Sequence, residues 1–363
     1  YGSTYIISVG TNLKHNSKTP NLDPLKVATK KVSSVIKKGD LVIFRSTIPV
    51  GCSREILIPL MERLTKLKCG KDFYFSFAPE RTAEGVALTE LKKNPQIIGT
   101  LDEISYKKTS NFFNEFTPST INVGSLDAAE FSKLLDNSFR DHMFAFSNQF
   151  TKYAEKIKIN LPKIINEINH GYERNNIPKP SPGVGGPCLS KDPYILDFCL
   201  KKKGIKNSLQ KQVRNINTQG PKDLFVRIKK LLIKNKKKID KSKIFLIGLA
   251  FKGSPETSDL RESTSLAFLK FLKNKKNIYG FDFRVTKQEI KKLGIKPINL
   301  EDGFKNADLV IFLNNHKSYC ELNISKLSKK MKKPGIIFDC WQAFEPSEIK
   351  KLDDILYGGL GVG

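Results

Sequence analysis

Short apolar runs alternate with helix-like stretches along the first 125 residues, and the alternation resumes after residue 242. In the first part, strand patterns occupy residues 5–9, 41–44, 73–77 and 96–99. In the last part they begin with residues 244–249. Because a strand, a helix and a second strand in succession favour parallel pairing, this order predicts an α/β fold with a mostly parallel, doubly wound sheet at each end of the chain.

The middle of the chain has a different pattern, with apolar residues at three- and four-residue spacing. We expect one long helix over residues 128–157. The stretch 178–188 is rich in proline and glycine, so it must form a loop rather than a helix or central strand. Two further helices are expected at residues 207–218 and 223–234, separated by Gly220-Pro221. The predicted architecture is therefore α/β, helical, α/β.

The composition argues against several classes of protein. The six cysteines include no C-x-x-C pair, which excludes the usual zinc spacings and gives no disulfide framework. No apolar run approaches the roughly 20 residues of a membrane span, and no signal peptide precedes the first strand pattern. We therefore expect a cytoplasmic protein. The net charge of +27 comes mainly from dispersed lysines. A solvated surface explains it, with a polyanion partner such as nucleic acid as the alternative.

The most informative loop is Gly-Val-Gly-Gly-Pro-Cys, which ends at Cys188. Its glycines would let the backbone approach a ligand closely and offer N–H groups to oxyanions. Lys191 and Asp192 follow, so Cys188 lies where a lowered thiol pKa is plausible for a nucleophile. The alternative is a buried cysteine beside a turn, since free cysteines are mostly found in cores.

A polar stripe lies on the long predicted helix. Lys133, Asn137 and Arg140 are spaced to share one face, where lysine and asparagine could stabilise a developing oxyanion. A solvated face is the alternative interpretation. The apolar residues of the helix fall on the opposite side, where we expect them to enter the core; they are Phe131, Leu135 and Phe146.

Other polar residues follow predicted strands, where open parallel sheets bind ligands. In the first part, Glu80, Arg81 and Thr82 follow one strand and Thr47 ends another. In the last part, Phe251 and Lys252 follow a strand. Arg261 opens the next helix, whose N-terminus would attract phosphate. Simple capping of a turn is the alternative for Arg261.

These segments, in this order, resemble the UDP-glucose/UDP-N-acetylmannosamine dehydrogenase family. The resemblance runs from Val9-Gly10-Thr11 to Tyr357-Gly358-Gly359, nearly the whole chain. It implies an NAD-binding Rossmann-like domain at 1–125, a helical dimerisation region with the cysteine loop at 126–235, and a UDP-sugar-binding Rossmann-like domain at 236–363. It also implies a four-electron oxidation of the C6 alcohol of a UDP-sugar to a carboxylate by a homodimer or larger homo-oligomer.

The resemblance also implies a role for individual residues. Cys188 would form a thiohemiacetal and then a thioester, Lys133 and Asn137 would stabilise the oxyanion, and Glu80 and Asp192 would handle protons and water. The residues implied to contact NAD are Thr11, Thr47, Lys191 and Arg261. Those implied to hold the UDP-sugar are Arg81, Thr82, Arg140, Gly185, Phe251, Lys252 and, from a neighbouring subunit, Arg174.

The substrate branch is less strongly marked. Arg81, Arg140 and Val184 resemble the UDP-N-acetylhexosamine branch, whereas Pro187 departs from it and Lys191 resembles the UDP-glucose branch. Tyr172 also stands at a histidine position of the first branch. We predict a UDP-N-acetylhexosamine of the UDP-N-acetylmannosamine type. The alternatives are UDP-glucose 6-dehydrogenase and a catalytically inactive scaffold of the same fold.

One motif of the family is missing from the sequence. No G-x-G-x-x-G segment, which seats the dinucleotide pyrophosphate on a helix N-terminus, occurs in the chain. We therefore expect at least one further βαβ unit to precede Tyr1 in the active enzyme, and the chain as written to bind NAD poorly and to be inactive.

Overall fold

The computed structural model describes residues 4–14, 17–206 and 208–363. The chain divides into two compact units. Unit 1 takes Tyr1–Phe139 and Lys191–Lys211, and unit 2 takes Arg140–Ser190 and Gln212–Gly363. The division at residues 125 and 235 stays a prediction. Within the described ranges, the structure contains no helix with the length and apolar character needed to cross a membrane.

The strands form one sheet in each unit. In chain order they are β1 (Thr4–Ile7), β2 (Leu41–Phe44), β3 (Tyr74–Phe77), β4 (Gln96–Thr100), β5 (Thr120–Asn122), β6 (Ile244–Ile247), β7 (Ile278–Phe281), β8 (Lys296–Pro297), β9 (Leu309–Phe312), β10 (Gly335–Asp339) and β11 (Ile355–Gly359). Unit 1 has the order β1-β2-β3-β4-β5, parallel except between β3 and β4. Unit 2 has the order β11-β10-β9-β6-β7-β8, with every pair parallel.

The helices connect and cover these strands. They are α1 (Asp23–Ser33), α2 (Ile58–Thr65), α3 (Ala87–Leu91), α4 (Glu103–Asn114), α5 (Leu126–Lys156), α6 (Leu161–Asn169), α7 (Asp192–Lys202), α8 (Leu209–Lys234), α9 (Thr264–Leu269), α10 (Lys287–Lys292), α11 (Leu300–Phe304), α12 (Ile324–Ser328) and α13 (Pro346–Lys350). A π-helical turn, Ser53–Leu57, leads into α2.

Both faces of the unit 2 sheet are covered by apolar side chains. Successive residues of β6 enter different clusters: Ile244 and Leu246 pack in one, and Phe245 and Ile247 in the other. Because neighbouring side chains of a strand point to opposite faces, these clusters lie on the two sides of the sheet. This is the arrangement of a doubly wound sheet, so the α/β fold predicted from the sequence is confirmed.

The prediction that Phe131, Leu135 and Phe146 enter the core is wrong. These side chains are 42%, 51% and 50% exposed. On the same helix, α5, Lys133 and Asn137 are buried and face inward, whereas Arg140, the third residue of the predicted polar stripe, is exposed. The three-to-four spacing of apolar residues identifies a helix, but it does not show which face meets the rest of the same chain.

The predicted break at Gly220-Pro221 is also wrong, because α8 continues through Pro221 as one helix. (Asn207, the predicted start of this segment, lies outside the described residues.) A Cβ atom at Gly220 would lie 2.5 Å from both the Gly183 nitrogen and the Pro182 oxygen. Glycine is therefore required by the close approach of the 178–188 loop to α8, rather than by a turn.

A buried ion pair joins α5 and α8 within unit 2. Arg214 Nη1 donates to Asp141 Oδ1 at 2.7 Å, and both side chains are almost fully buried. Asn217 Nδ2 donates to the same carboxylate oxygen at 2.8 Å. Burial raises the pKa of Asp141, and the Arg214 charge opposes that shift. Arg214 Nη2 also donates to the Val184 carbonyl at 3.3 Å, which ties the glycine-rich loop to this pair.

We predict that Arg214→Met lowers the free energy of unfolding by about 3–5 kcal/mol, because it leaves the Asp141 carboxylate buried without its cation. Urea unfolding followed by circular dichroism measures the change. Lys351→Met is the matched control, because the Lys351–Glu348 pair of unit 2 is mostly exposed and contributes about 0.5 kcal/mol or less. Equal stability of the two variants would contradict the prediction.

Candidate active site

The buried polar residues of α5, Lys133 and Asn137, lie near the start of α7 within unit 1. Asn137 Nδ2 donates to Asp192 Oδ2 at 2.6 Å, and Lys191 Nζ donates to Asp192 Oδ1 at 2.6 Å. Asp192 is fully buried, and Lys133 lies one helical turn before Asn137. Both oxygens of the carboxylate are therefore held, so the Asn137 amide keeps a fixed orientation beside Lys133.

Glu80 lies at the carboxyl edge of the unit 1 sheet, just after β3. Its carboxylate contacts Arg45 Nη2 and accepts the Thr82 N–H at 2.8 Å. Burial raises the pKa of Glu80, but the Arg45 charge and the Thr82 hydrogen bond outweigh burial and hold it below its usual value. Glu80 is therefore ionised at neutral pH and can accept a proton.

Two partners of the predicted residues were missed by sequence reasoning. Arg45 directly follows β2, and its guanidinium lies 5.0 Å from the Phe113 ring centroid. Asp136 precedes Asn137 and lies 3.6 Å from Arg81 Nε. The position of Arg45 after a strand was a usable signal, since Thr47 was selected on the same ground. For Asp136 the sequence offered only its place beside Asn137.

Two buried hydroxyls mark the same sheet edge. Thr11 follows β1, and Ser46 and the half-buried Thr47 follow β2. Thr11 Oγ1 and Ser46 Oγ are buried and have no hydrogen-bond partner among the residues that the structure describes. A buried hydroxyl of this kind needs an explanation, and a ligand that supplies the hydrogen bond is one. The edge therefore fits the NAD predicted from the resemblance.

The glycine-rich loop is held by close backbone contacts within unit 2. The Gly186 N–H donates to the Glu262 carbonyl at 3.1 Å. A Cβ atom at Gly185 would lie 2.1 Å from that same carbonyl oxygen, and one at Gly186 would lie 2.7 Å from the Phe251 ring. The glycines thus allow the chain to pack against itself, a use that the sequence interpretation did not include.

Cys188 is exposed at the end of this loop. The alternative of a buried cysteine beside a turn is therefore wrong. Ser190 Oγ donates to the Gly186 carbonyl at 2.7 Å and closes the turn that contains the cysteine. An accessible thiol on a segment fixed at both ends suits a nucleophile.

Two of the predicted site cations of unit 2 lie in the segments after β6. Lys252 Nζ lies 5.4 Å from the centroid of the Phe251 ring. Arg261 is bonded to Asp259, with Nη2 2.7 Å from Oδ2. Arg140 and Arg174 are exposed.

The predicted site residues are divided between the two units. Unit 1 contains Thr11, Thr47, Glu80, Arg81, Thr82, Lys133, Asn137, Lys191 and Asp192, and unit 2 contains Arg140, Arg174, Gly185, Cys188, Phe251, Lys252 and Arg261. Direct contacts join Asn137 and Lys191 to Asp192, and Glu80 to Thr82.

Comparison with known proteins gives one consistent family. Models of the UDP-glucose/GDP-mannose dehydrogenase family match three segments: the NAD binding domain at 2–117, the central domain at 127–219 and the UDP binding domain at 245–346. UDP-N-acetyl-D-mannosamine dehydrogenase from Campylobacter jejuni is 32% identical over 334 residues, which cover 89% of this chain and 80% of the relative.

Solved structures agree with the sequence matches. The UDP-D-ManNAc dehydrogenase from Pyrococcus horikoshii is 30% identical and superposes with a TM-score of 0.87, over 99% of this chain and 81% of that one. The NDP-N-acetyl-D-galactosaminuronic acid dehydrogenase from Methanosarcina mazei is 28% identical with a TM-score of 0.82, over 99% and 77%. The predicted resemblance and the NAD cofactor are confirmed. The chain belongs to the UDP-glucose/GDP-mannose dehydrogenase family.

Proposed function

We propose that this protein oxidises the C6 alcohol of a UDP-N-acetylhexosamine, of the UDP-N-acetylmannosamine type, to the carboxylate. The observation that carries the proposal is the exposed Cys188 on its fixed loop. The relatives from Campylobacter jejuni and Pyrococcus horikoshii, both named for UDP-N-acetylmannosamine, support the choice of sugar. A reaction that needs NAD and a nucleotide sugar also suits the cytoplasm, which supplies both.

The reaction removes four electrons in two oxidations, and NAD, when bound, would supply the hydride acceptor for each. The first oxidation converts the C6 alcohol into an aldehyde. The Cys188 thiolate adds to the aldehyde carbon and gives a thiohemiacetal, so the aldehyde is retained between the oxidations. The second oxidation gives a thioester. Water then cleaves the C–S bond, which releases the carboxylate and the free thiol.

Lys133 and Asn137 act on the oxygen at C6. The buried ammonium of Lys133 and the amide of Asn137 donate hydrogen bonds to the negative charge that develops there. Asp192 holds the amide in place, so no reorientation is needed as the charge forms. A scaffold protein would have no need for this buried polar set, which favours the enzyme over the inactive alternative.

Glu80 and Asp192 manage protons and water. Because Arg45 keeps Glu80 ionised, Glu80 accepts a proton from the water that attacks the thioester.

Thr11 and Thr47, with Lys191 and Arg261, contact the dinucleotide. The unpartnered hydroxyl of Thr11 at the carboxyl edge supports this assignment.

The nucleotide sugar is held by cations and by the glycine-rich loop. Arg81, which follows Glu80, resembles the N-acetylated branch of the family and therefore favours that sugar. UDP-glucose remains the alternative substrate. The residues assigned to substrate binding are Arg81, Thr82, Arg140, Gly185, Phe251, Lys252 and Arg174 of a neighbouring subunit.

The proposal includes a homodimer, and exposed apolar side chains on α5 support it. In unit 2, Phe146 and Phe150 pack edge to face with ring centroids 5.3 Å apart, and both are at least 41% exposed. Such a patch costs free energy in water unless a second surface covers it.

We predict that the native protein forms two NADH per sugar with UDP-N-acetylmannosamine, since each oxidation releases one hydride. Cys188→Ala abolishes uronate formation, measured by NADH absorbance and chromatography of the sugar product. Cys320→Ala, which removes the other exposed cysteine of unit 2, leaves turnover unchanged. Full turnover by Cys188→Ala would refute the covalent mechanism, and two NADH with UDP-glucose alone would refute the substrate.

We predict that Arg45→Met moves the acid limb of the kcat/KM profile to higher pH, because the lost cation no longer lowers the pKa of the partly buried Glu80 carboxyl. The pH dependence of NADH formation measures the shift. Arg45→Lys keeps the charge and should move the limb less. The control is Lys38→Met, which removes a mostly exposed cation paired with Asp72. If Arg45→Met shifted the acid limb no more than Lys38→Met does, the role of Arg45 would be contradicted.

Phe150→Glu converts the dimer to a monomer, since a carboxylate would be desolvated at the interface. Light scattering during size-exclusion chromatography measures the mass. Leu88→Glu, at a residue 78% exposed on the short helix α3, should leave the dimer intact. A Phe150→Glu protein that remains dimeric would exclude this face as the interface.

A further inference from the structure

Glu130 is a fully buried carboxylate with an unusual set of hydrogen bonds. It lies on α5, one turn before Lys133. The Gly51 N–H donates to Oε2 at 2.5 Å, and the Ser53 N–H donates to Oε1 at 2.8 Å. Both carboxylate oxygens are therefore bonded by backbone amides of one segment, which follows β2 and begins with Ser46 and Thr47.

This segment is shaped to present those amides. Gly51 has φ of +86°, a conformation that disfavours residues with a Cβ, and Cys52 precedes the π-helical turn leading into α2. The Glu55 N–H donates to the Gly51 carbonyl at 2.8 Å, so the carboxylate of Glu130 lies at the start of helical structure. A negative charge there is stabilised by the free amides and the helix dipole.

Among the residues that the structure describes, no buried cation contacts the Glu130 carboxylate. Asp127 on the same helix pairs with Arg54 at 2.9 Å. The thiols of Cys52, from the loop, and Cys199, from α7, also lie near Glu130. Burial is the main cause of the raised pKa of each thiol. Glu55 lies further along the segment. The tie between loop and helix thus consists of the two amide bonds.

We propose that Glu130 is a positioning residue that holds the Thr47 segment in register with Lys133 and Asn137. One side of this tie is the loop assigned to the dinucleotide, and the other is the helix that carries the oxyanion donors. The inference rests on the proposed function, because it uses those two assignments. A shift of this loop against α5 would move the bound dinucleotide relative to the oxygen at C6.

The tie also depends on pH. Burial raises the pKa of Glu130 to about 7, although the bonds from Ser53 and Gly51 oppose the shift. A protonated carboxyl group has one oxygen that carries hydrogen and accepts poorly, so one of the two amide bonds is weakened. The segment is therefore held firmly above pH 7 and loosely below it.

The alternative is that Glu130 merely caps the helical segment. A cap would affect the unfolding temperature and leave the affinity of the folded protein for NAD unchanged. A positioning residue changes that affinity and its pH dependence.

The test measures NAD binding by isothermal titration calorimetry from pH 6 to 8.5 in the complete native protein and in Glu130→Gln. For the native protein we expect the Kd for NAD to rise as pH falls through about 7. Glu130→Gln retains the shape but can accept only one amide bond. We expect its Kd to be raised about tenfold and to be nearly independent of pH.

The matched control is Glu62→Gln in the same unit. Glu62 also accepts a backbone amide, from Cys69 at 3.1 Å, but it lies at the other end of α2. It should leave the Kd and its pH dependence unchanged. Glu130→Asp keeps the charge with a shorter reach, and we expect a raised Kd with the pH dependence retained.

Native NAD affinity and pH dependence in Glu130→Gln would overturn the proposal, as would the loss of folding in both Glu130 variants. Failure of the proposed function is distinguishable, because it shows as absent NADH formation by the native protein with every UDP-sugar.

Discussion

The buried polar side chains of helix α5 need hydrogen-bond partners inside the protein, and much of the structure follows from that requirement. A buried carboxylate or amide costs several kcal/mol unless hydrogen bonds replace those it made to water. In unit 1, Glu130 is hydrogen-bonded to the segment after β2, and Asn137 to the start of α7. In unit 2, Asp141 binds α8 through its ion pair with Arg214. Segments distant in sequence are thus fixed by the partners that one helix needs.

The elements of the fold could be predicted well from the sequence, whereas the choice of buried face could not. The strand patterns at 41–44 and 244–249 correspond to β2 and β6, because a buried parallel strand needs a short run of consecutive apolar residues. On α5, apolar and polar stripes both had helical spacing. Only the partners across the fold decide between them, and those partners are remote in sequence. Arg45 could have been selected from its position after β2, but its pairing with Glu80, 35 residues away, could not be predicted from the sequence.

The glycine-rich loop shows a different limit of the sequence. Glycine has the same signature whether it admits a ligand or a neighbouring backbone, since either use requires only that Cβ be absent. At Gly183 a Cβ atom would lie 2.2 Å from the Asn217 oxygen, and at Gly185 2.1 Å from the Glu262 oxygen. Backbone packing therefore accounts for these glycines. Cys188 lies beyond the packed part of the loop and remains exposed, so the same contacts that fix the loop also present the thiol.

The buried carboxylate of Glu130 works against the stability of the fold. Its pKa is raised from 4.5 to about 7, so the folded state binds the proton more tightly than the unfolded chain does. The stability contributed by the neutral form is present below pH 4.5 and is lost as pH rises through 7. Ionisation of Glu130 therefore lowers the free energy of unfolding by about 3 kcal/mol between low and high pH, a loss that a neutral residue at this position would not cause. The ionised carboxylate is nevertheless the form that accepts both amide bonds, from Gly51 and Ser53. As pH rises through 7, the fold thus becomes less stable while the loop is held more firmly against α5. This is expected of a group whose position serves the reaction rather than the fold.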